Sequence, residues 1–86
     1  MYYTYILQSK TTEMYYVGST QDLEKRVEEH NNPSRSGVKT TRKFSGPWTL
    51  VYHEEYETRS EAMIREKEIK NWKSHKMIEK LINSSR

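Results

Sequence analysis

A glutamate lies where a predicted helix should be apolar. The apolar residues of the helical segment that follows Thr58 define one buried arc when successive residues are placed about 100° apart: Ala62, Met63, Ile69 and Trp72. Glu66 falls at about 40° on the same wheel, inside that arc. A carboxylate that faces a core needs a cationic partner, hydrogen bonds or a bound divalent metal. We therefore expect either a metal site at Glu66 or a structural ion pair, for instance with Arg26.

An arginine and a histidine lie four residues apart on another predicted helix. Arg26 and His30 therefore project from one side of that helix. The guanidinium group is a planar fork of donors suited to phosphate oxygens, and a histidine can shuttle a proton or donate a hydrogen bond. The pair is compatible with a phosphate site, and the alternative is two solvated residues on a helix edge.

Tyrosines make up seven of the ten aromatic residues. On a predicted N-terminal hairpin, Tyr3 and Tyr5 share one face of the first strand, and Tyr16 and Gly18 share one face of the second. Because each buried hydroxyl needs a partner or a route to water, several tyrosines are expected to line a groove. The alternative for any single tyrosine is cross-strand packing. Gly18 is expected to permit a turn or a close approach of backbone.

The elements that must position these residues follow the order ββα, loop, βαα. The strand-forming segments are rich in aromatic and β-branched residues, and they span 2–7, 14–18 and 48–56. Ser19 or Thr20 is the predicted N-cap of the first helix, which ends near His30. The capping-box pattern from Thr58 to Glu61 starts the second helix, which ends at about residue 72. Ser74 is expected to cap a final helix.

The long polar segment after residue 30 is predicted to be a loop, with one helical turn at 38–43. Three strands with helices around them favour an α+β domain built on a small antiparallel or mixed sheet. At 86 residues, the chain is expected to form one domain over 1–86.

Positive charge is concentrated in two acid-free stretches, 31–53 and 69–78. Their lysines and arginines are candidate contacts to a nucleic-acid backbone, with a solvated surface as the alternative: Lys39, Arg42, Lys43, Lys70 and Lys73.

Other features exclude whole classes of function. The chain has no cysteine, so disulfides, thiolate metal sites and cysteine nucleophiles are excluded. It has no run of eighteen apolar residues and no signal-peptide pattern at the N-terminus, so we expect no membrane association and a cytoplasmic location.

Taken together, these residues resemble the GIY-YIG nuclease domain over nearly the whole chain. The likeness rests on the two tyrosine triplets, the positions of the first helix and the segment that leads to Glu66: Tyr3-Thr4-Tyr5, Tyr16-Val17-Gly18, Thr20, Leu23, Arg26, His30 and Ser60-Glu61-Ala62. The chain looks like the small single-domain bacterial branch, which is related to the N-terminal nuclease domain of the excision-repair incision subunit.

The resemblance implies a three-stranded antiparallel sheet flanked by helices and a metal-dependent phosphodiester hydrolysis. It places Glu66 at the position of the metal ligand, with Mg²⁺ or Mn²⁺ as the cofactor, and Arg26 at that of the arginine on the scissile phosphate. Tyr5 and Tyr16 match the motif tyrosines, and His30 matches a further polar position. A tyrosine, first of all Tyr5, is expected to orient or deprotonate the attacking water, which requires a nearby cation to lower its pKa from an ordinary value of about 10. The choice of general base stays open among Tyr5, Tyr16 and His30.

Three hypotheses follow. The first is a DNA endonuclease that acts in repair or on structured DNA, with RNA as the other candidate substrate and a protein partner as a source of specificity. The second is a catalytically weak or silent nucleic-acid-binding module, and the third is a protein-interaction domain that reuses the fold. The oligomeric state is not predicted.

Overall fold

A computed structural model describes residues 1–31 and 47–84. Its strands are β1 (Tyr2–Ser9), β2 (Tyr15–Thr20) and β3 (Trp48–Tyr56), and its helices are α1 (Leu23–Asn31), α2 (Arg59–Trp72) and α3 (His75–Ser84). The predicted order of elements is confirmed. The predicted loop with its helical turn, and with it Lys39, Arg42 and Lys43, lies outside the described residues.

The strands form one antiparallel sheet in the order β2-β1-β3, so the predicted α+β fold is confirmed. Tyr5 pairs with Gly18 and Leu7 pairs with Tyr16 across the hairpin. Since side chains alternate between the faces of a strand, these four residues share one face. On β3 the register shifts where Val51 is an extra residue, a bulge that bends this edge of the sheet.

Each face of the sheet carries its own core. Tyr5, Leu7 and Trp48 are buried on the face covered by α1, whose Leu23 and Val27 pack against them. The opposite face buries a second cluster under α2 and α3: Ile6, Val17, Ile69 and Ile82. Thr4, on this second face, donates a 2.6 Å hydrogen bond to the carbonyl of Ala62 and so fixes α2 against the central strand.

Local capping explains where the helices begin, with one correction. Thr58 accepts from the Glu61 amide, and Ser74 accepts from the Met77 amide, as predicted. The predicted cap of α1 is wrong, because β2 continues through Thr20, which pairs with Tyr3. Asp22 caps α1 instead, and its carboxylate accepts from the Lys25 amide at 3.1 Å.

The predicted buried arc of α2 is only partly right. Ala62 and Ile69 are 1% and 0% exposed, and Trp72 is half-buried. Met63 is 44% exposed, since the α2 stripe that touches the sheet is narrower than the arc inferred from the wheel. None of the helices in the described parts of the chain has the length and apolar character needed to cross a bilayer.

Candidate active site

Three predicted site residues meet at the hydroxyl of Tyr5. Arg26 donates from Nε to the Tyr5 oxygen at 3.3 Å, and His30 Nε2 lies 3.1 Å from the same oxygen. The i, i+4 spacing places both residues on the side of α1 that faces the sheet. A hydroxyl that accepts from arginine still has its own proton to donate, and a neutral imidazole nitrogen can accept it.

Gly18 leaves the space that this hydroxyl occupies. A β-carbon at Gly18 would lie 2.5 Å from the Tyr5 oxygen and 2.7 Å from its Cζ, both too close for a real contact. Gly18 is the cross-strand partner of Tyr5, so the tyrosine ring lies across it. The close approach predicted at Gly18 is therefore made by a side chain, whereas the sequence suggested a turn or an approach of backbone.

Burial sets the protonation states of Tyr5 and His30. Tyr5 is 1% exposed, and this burial raises its pKa to about 12, although the hydrogen bond from Arg26 acts in the opposite direction. His30 is also 1% exposed, and burial, followed by the charge of Arg26, lowers its pKa to about 4. At neutral pH the pair is thus an uncharged phenol beside an uncharged imidazole. The cation expected to lower the tyrosine pKa is present, but burial outweighs it.

Tyr16 is the more accessible of the two motif tyrosines. It is half-buried, its ring centroid lies 4.5 Å from that of His30, and the distance to the Tyr5 ring is 6.3 Å. Its hydroxyl is close enough to act on the pKa values of both Tyr5 and Arg26. Tyr5 and Tyr16 are therefore diagonal neighbours on one face, offset by two residues in the strand register.

Glu66 acts electrostatically on the centre, the cluster formed by Tyr5, Tyr16, Arg26 and His30, from the helix on the other face of the sheet. It belongs to α2, and its carboxylate contributes to the raised pKa of Tyr5. The side chain is 21% exposed and accepts a 2.6 Å hydrogen bond from Lys70. The suggested ion pair with Arg26 is wrong, since Arg26 pairs with Glu29 at 3.4 Å. Both observed pairs have helical i, i+4 or i, i+3 spacing, so each was readable from the sequence.

Asn31 and Trp48, for which the sequence predicts no role in the site, hold the end of α1 in place. The Asn31 side chain accepts from the Trp48 amide at 2.6 Å and donates to the Trp48 carbonyl at 3.1 Å. These bonds tie the last residue of α1 to the first residue of β3 and so fix His30 beside the sheet. An asparagine at a helix end gives no sequence signal for a partner seventeen residues away.

A groove of about 860 Å³ runs beside Arg26. The start of α1 and the end of β2 form most of its wall, and Tyr3 and Arg59 complete it. Arg26 is 35% exposed, so part of its guanidinium faces this space while Nε holds Tyr5. The groove gives an anionic ligand access to the arginine.

The carboxylates near the centre suit a cation that keeps most of its water ligands, rather than one that is enclosed by protein ligands. Within residues 1–31 and 47–84, no three histidine, aspartate or glutamate side chains lie close enough to share a metal ion. Mg²⁺ commonly binds through one or two carboxylates, substrate phosphates and several waters, so Glu66 alone can serve as its protein ligand. The competing ion pair is weak, because Lys70 is 48% exposed and such pairs contribute about 0 to 1 kcal/mol.

Comparison with known proteins gives the family. The model of the GIY-YIG catalytic domain matches residues 1–80. The chain is 43% identical over 82 residues to a UPF0213 protein of Staphylococcus saprophyticus, covering 95% of this chain and 94% of the relative. A UPF0213 protein of Clostridium perfringens is 49% identical over 70 residues, which cover 81% of this chain and 71% of the relative.

A solved structure agrees with this relationship. The solution NMR structure of a UPF0213 protein from Bacillus halodurans shares 36% sequence identity with this chain and superposes with a TM-score of 0.57, covering 96% of this chain and 84% of the other. The chain belongs to the GIY-YIG family, and its resemblance to that family is confirmed. The family is one of nuclease domains that generally depend on a divalent metal.

Proposed function

We propose that this chain is a divalent-metal-dependent endonuclease that hydrolyses phosphodiester bonds of DNA, in repair or in the processing of structured DNA, and that residues 1–86 form its single catalytic domain. The observation that carries the proposal is the convergence of Arg26, His30 and Tyr16 around the Tyr5 hydroxyl, with Glu66 in electrostatic range. Membership of the GIY-YIG family supports it.

Glu66 is the proposed protein ligand of the metal. Held there, a divalent cation would supply positive charge to neutralise the phosphate and assist departure of the leaving oxygen. The part of the Arg26 guanidinium that faces the groove holds a phosphate oxygen. Because its Nε stays bonded to Tyr5, this arginine is oriented before substrate binds.

The two tyrosines have different proposed roles. Tyr5 is buried and protonated, so it positions Arg26 and His30 rather than meeting solvent. Tyr16 is half-buried and its ring packs against that of His30, so its side-chain oxygen is the proposed group that orients the attacking water. Having lost its own proton to solvent, this oxygen would accept the proton of the water as the new O–P bond forms and the bond to the leaving oxygen breaks. His30, neutral at physiological pH, accepts the hydrogen bond of Tyr5 and keeps that hydroxyl in place.

The test compares wild type with Glu66→Gln on labelled single-stranded, nicked, flapped and branched DNA, each with Mg²⁺, with Mn²⁺ and with EDTA. Glu68→Gln is the matched control, because Glu68 lies on the same helix, is 57% exposed and forms a long ion pair with Arg65, at 3.8 Å. Circular dichroism checks that all three proteins fold. We expect metal-dependent cleavage by wild type and Glu68→Gln, and none by Glu66→Gln.

Two results would contradict the proposal. Cleavage that persists in folded Glu66→Gln would remove the glutamate from the mechanism. Binding to DNA without cleavage under any metal condition would instead favour the catalytically silent binding module. An RNA panel of the same shapes, run in parallel, decides which polymer is the substrate.

A further inference from the structure

A second groove lies next to the centre, on the other side of edge strand β2. It has a volume of about 500 Å³ and lies between β2 and the corner where α2 gives way to α3. Tyr15 and Tyr16 both line it. Because β2 is an edge strand, the groove runs along the edge of the sheet, and its wall includes Tyr16, a residue of the centre.

Two aromatic rings pack together in this groove. The ring centroids of Tyr15 and His75 lie 4.5 Å apart, with the planes inclined at 41°. Tyr15 is half-buried, and the His75 side chain is 55% exposed, so the pair is anchored at one end and open at the other. His75 Nε2 lies 3.4 Å from a carboxylate oxygen of Glu79, a contact that orients the ring. Open aromatic rings are surfaces on which nucleic-acid bases stack.

Two lysines supply positive charge beside these rings. Lys70 lines the groove and contacts Glu66 at 2.6 Å, which connects the groove to the proposed metal ligand. Lys73 also lines it and is the C-cap of α2, where the backbone adopts the left-handed conformation with φ of 50°. The corner between the helices therefore places Lys73 next to the aromatic pair. This combination matches a nucleic-acid strand, in which a positive side chain can bind a phosphate and an aromatic ring can stack on a base.

We propose that this groove binds an unpaired stretch of the DNA strand that enters or leaves the centre, with a base stacked on Tyr15 and His75 and its phosphates on Lys70 and Lys73. The proposal rests on the nuclease function above and specifies its substrate as DNA with a single-stranded segment. A single-stranded segment is needed for stacking on the protein, because in a duplex both faces of each base are covered by neighbouring bases. Unpaired bases are free to stack on side chains.

The test measures binding in EDTA, where cleavage does not interfere, by fluorescence anisotropy of a labelled oligothymidine. An abasic oligonucleotide of the same length keeps the phosphates and lacks the bases, and a duplex of the same length hides the base faces. We expect wild type to bind oligothymidine most tightly, and His75→Ala and Tyr15→Leu to weaken that binding about tenfold. Neither change should alter binding of the abasic strand.

Matched variants separate stacking from charge. His53→Ala is the control for His75→Ala, because His53 is also exposed and also contacts a tyrosine ring, that of Tyr3, elsewhere on the sheet. It should bind like wild type. Tyr15→Phe keeps the ring and should retain binding. Lys73→Gly suits the left-handed backbone and should weaken the oligothymidine and the abasic strand equally.

Unchanged binding by both His75→Ala and Tyr15→Leu would overturn the proposal, as would an equal loss on the oligothymidine and the abasic strand. Preference for the duplex by wild type would overturn it as well. The outcome is independent of catalysis, since binding is measured in EDTA, where no metal-dependent cleavage occurs. A stacking groove without any metal-dependent cleavage would leave this inference standing and remove the proposed activity.

Discussion

The hydroxyl of Tyr5 occupies the position that a side chain at residue 18 would need, with a β-carbon there only 2.5 Å from its oxygen. Gly18 and Tyr5 thus form one structural unit across the hairpin. We expect Gly18→Ala to push the tyrosine away from Arg26 and His30, to lower the free energy of unfolding by about 1 to 3 kcal/mol and to reduce cleavage strongly.

A double-mutant cycle with Tyr5→Phe checks this prediction. Removing the oxygen takes away the shortest contact, although Cζ would still lie 2.7 Å from the new methyl group. The stability cost of Gly18→Ala should therefore be smaller in the Tyr5→Phe background, as measured by chemical denaturation. Additive costs would show that the Tyr5 hydroxyl does not compete with a β-carbon at residue 18 for space.

The two tyrosines should respond differently to loss of their hydroxyls. Tyr16→Phe is expected to lower kcat by about 10² or more, the usual contribution of a general base. Tyr5→Phe should act through the orientation of Arg26, with a smaller loss of kcat and an unchanged dependence of rate on pH. Steady-state kinetics over a range of pH values measures both effects. A pH profile altered by Tyr5→Phe and left intact by Tyr16→Phe would reverse the assignment.

His30 makes the fold sensitive to mild acid. Its pKa is lowered to about 4 by burial, from an ordinary value of 6.5, so between these values the unfolded chain binds a proton that the folded chain does not. Stability should therefore fall as the pH falls from about 6.5 towards 4. At pH 5 the loss relative to neutral pH should be about 2 kcal/mol.

Urea unfolding at a series of pH values tests this prediction. His30→Gln should flatten the dependence between pH 6.5 and 4, at the expense of lower stability at neutral pH. His75→Gln is the control, since that histidine is 55% exposed, and it should keep the slope of wild type. An equal slope in wild type and His30→Gln would assign the effect to other groups.

Glu54 of β3 connects that strand to α2 through hydrogen bonds. It accepts hydrogen bonds from the hydroxyls of Tyr52 and Tyr56, and Arg65 donates to both of its oxygens, at 3.0 Å in the closest contact. Burial alone would raise the pKa of Glu54, but these donors outweigh it and hold the pKa below its ordinary value. Arg65 in turn lies over the ring of Trp72, at 5.4 Å from its centroid.

We expect Glu54→Gln to lower the free energy of unfolding by about 1 to 3 kcal/mol at neutral pH, because it leaves partly buried donors unpaired. Since the folded pKa is the lower one, the carboxylate stabilises the fold above its unfolded pKa, and this contribution is lost as the pH falls through the folded value. The difference between wild type and variant should therefore shrink in acid. Glu55→Gln, an exposed neighbour on the same strand, is the control.

Local chemistry was enough to predict most of the elements. β3 and α2 have the predicted bounds, because aromatic and β-branched residues mark the strand, and Thr58 caps the helix through contacts within one turn. The start of α1 was missed, because the end of β2 depends on pairing with Tyr3, a residue distant in sequence. The ion pair of Glu66 with Lys70 was also missed, although its helical spacing was visible.

The types of the site residues, and the common side of Arg26 and His30 on one helix, were determined by sequence alone, because helical periodicity is local. Only the tertiary structure brought Tyr5 between them, since strand register placed it across Gly18 and α1 packed over that face. The same packing decided their chemistry. Removal from water raised the pKa of Tyr5 and lowered that of His30, an effect of burial that no spacing of residues contains.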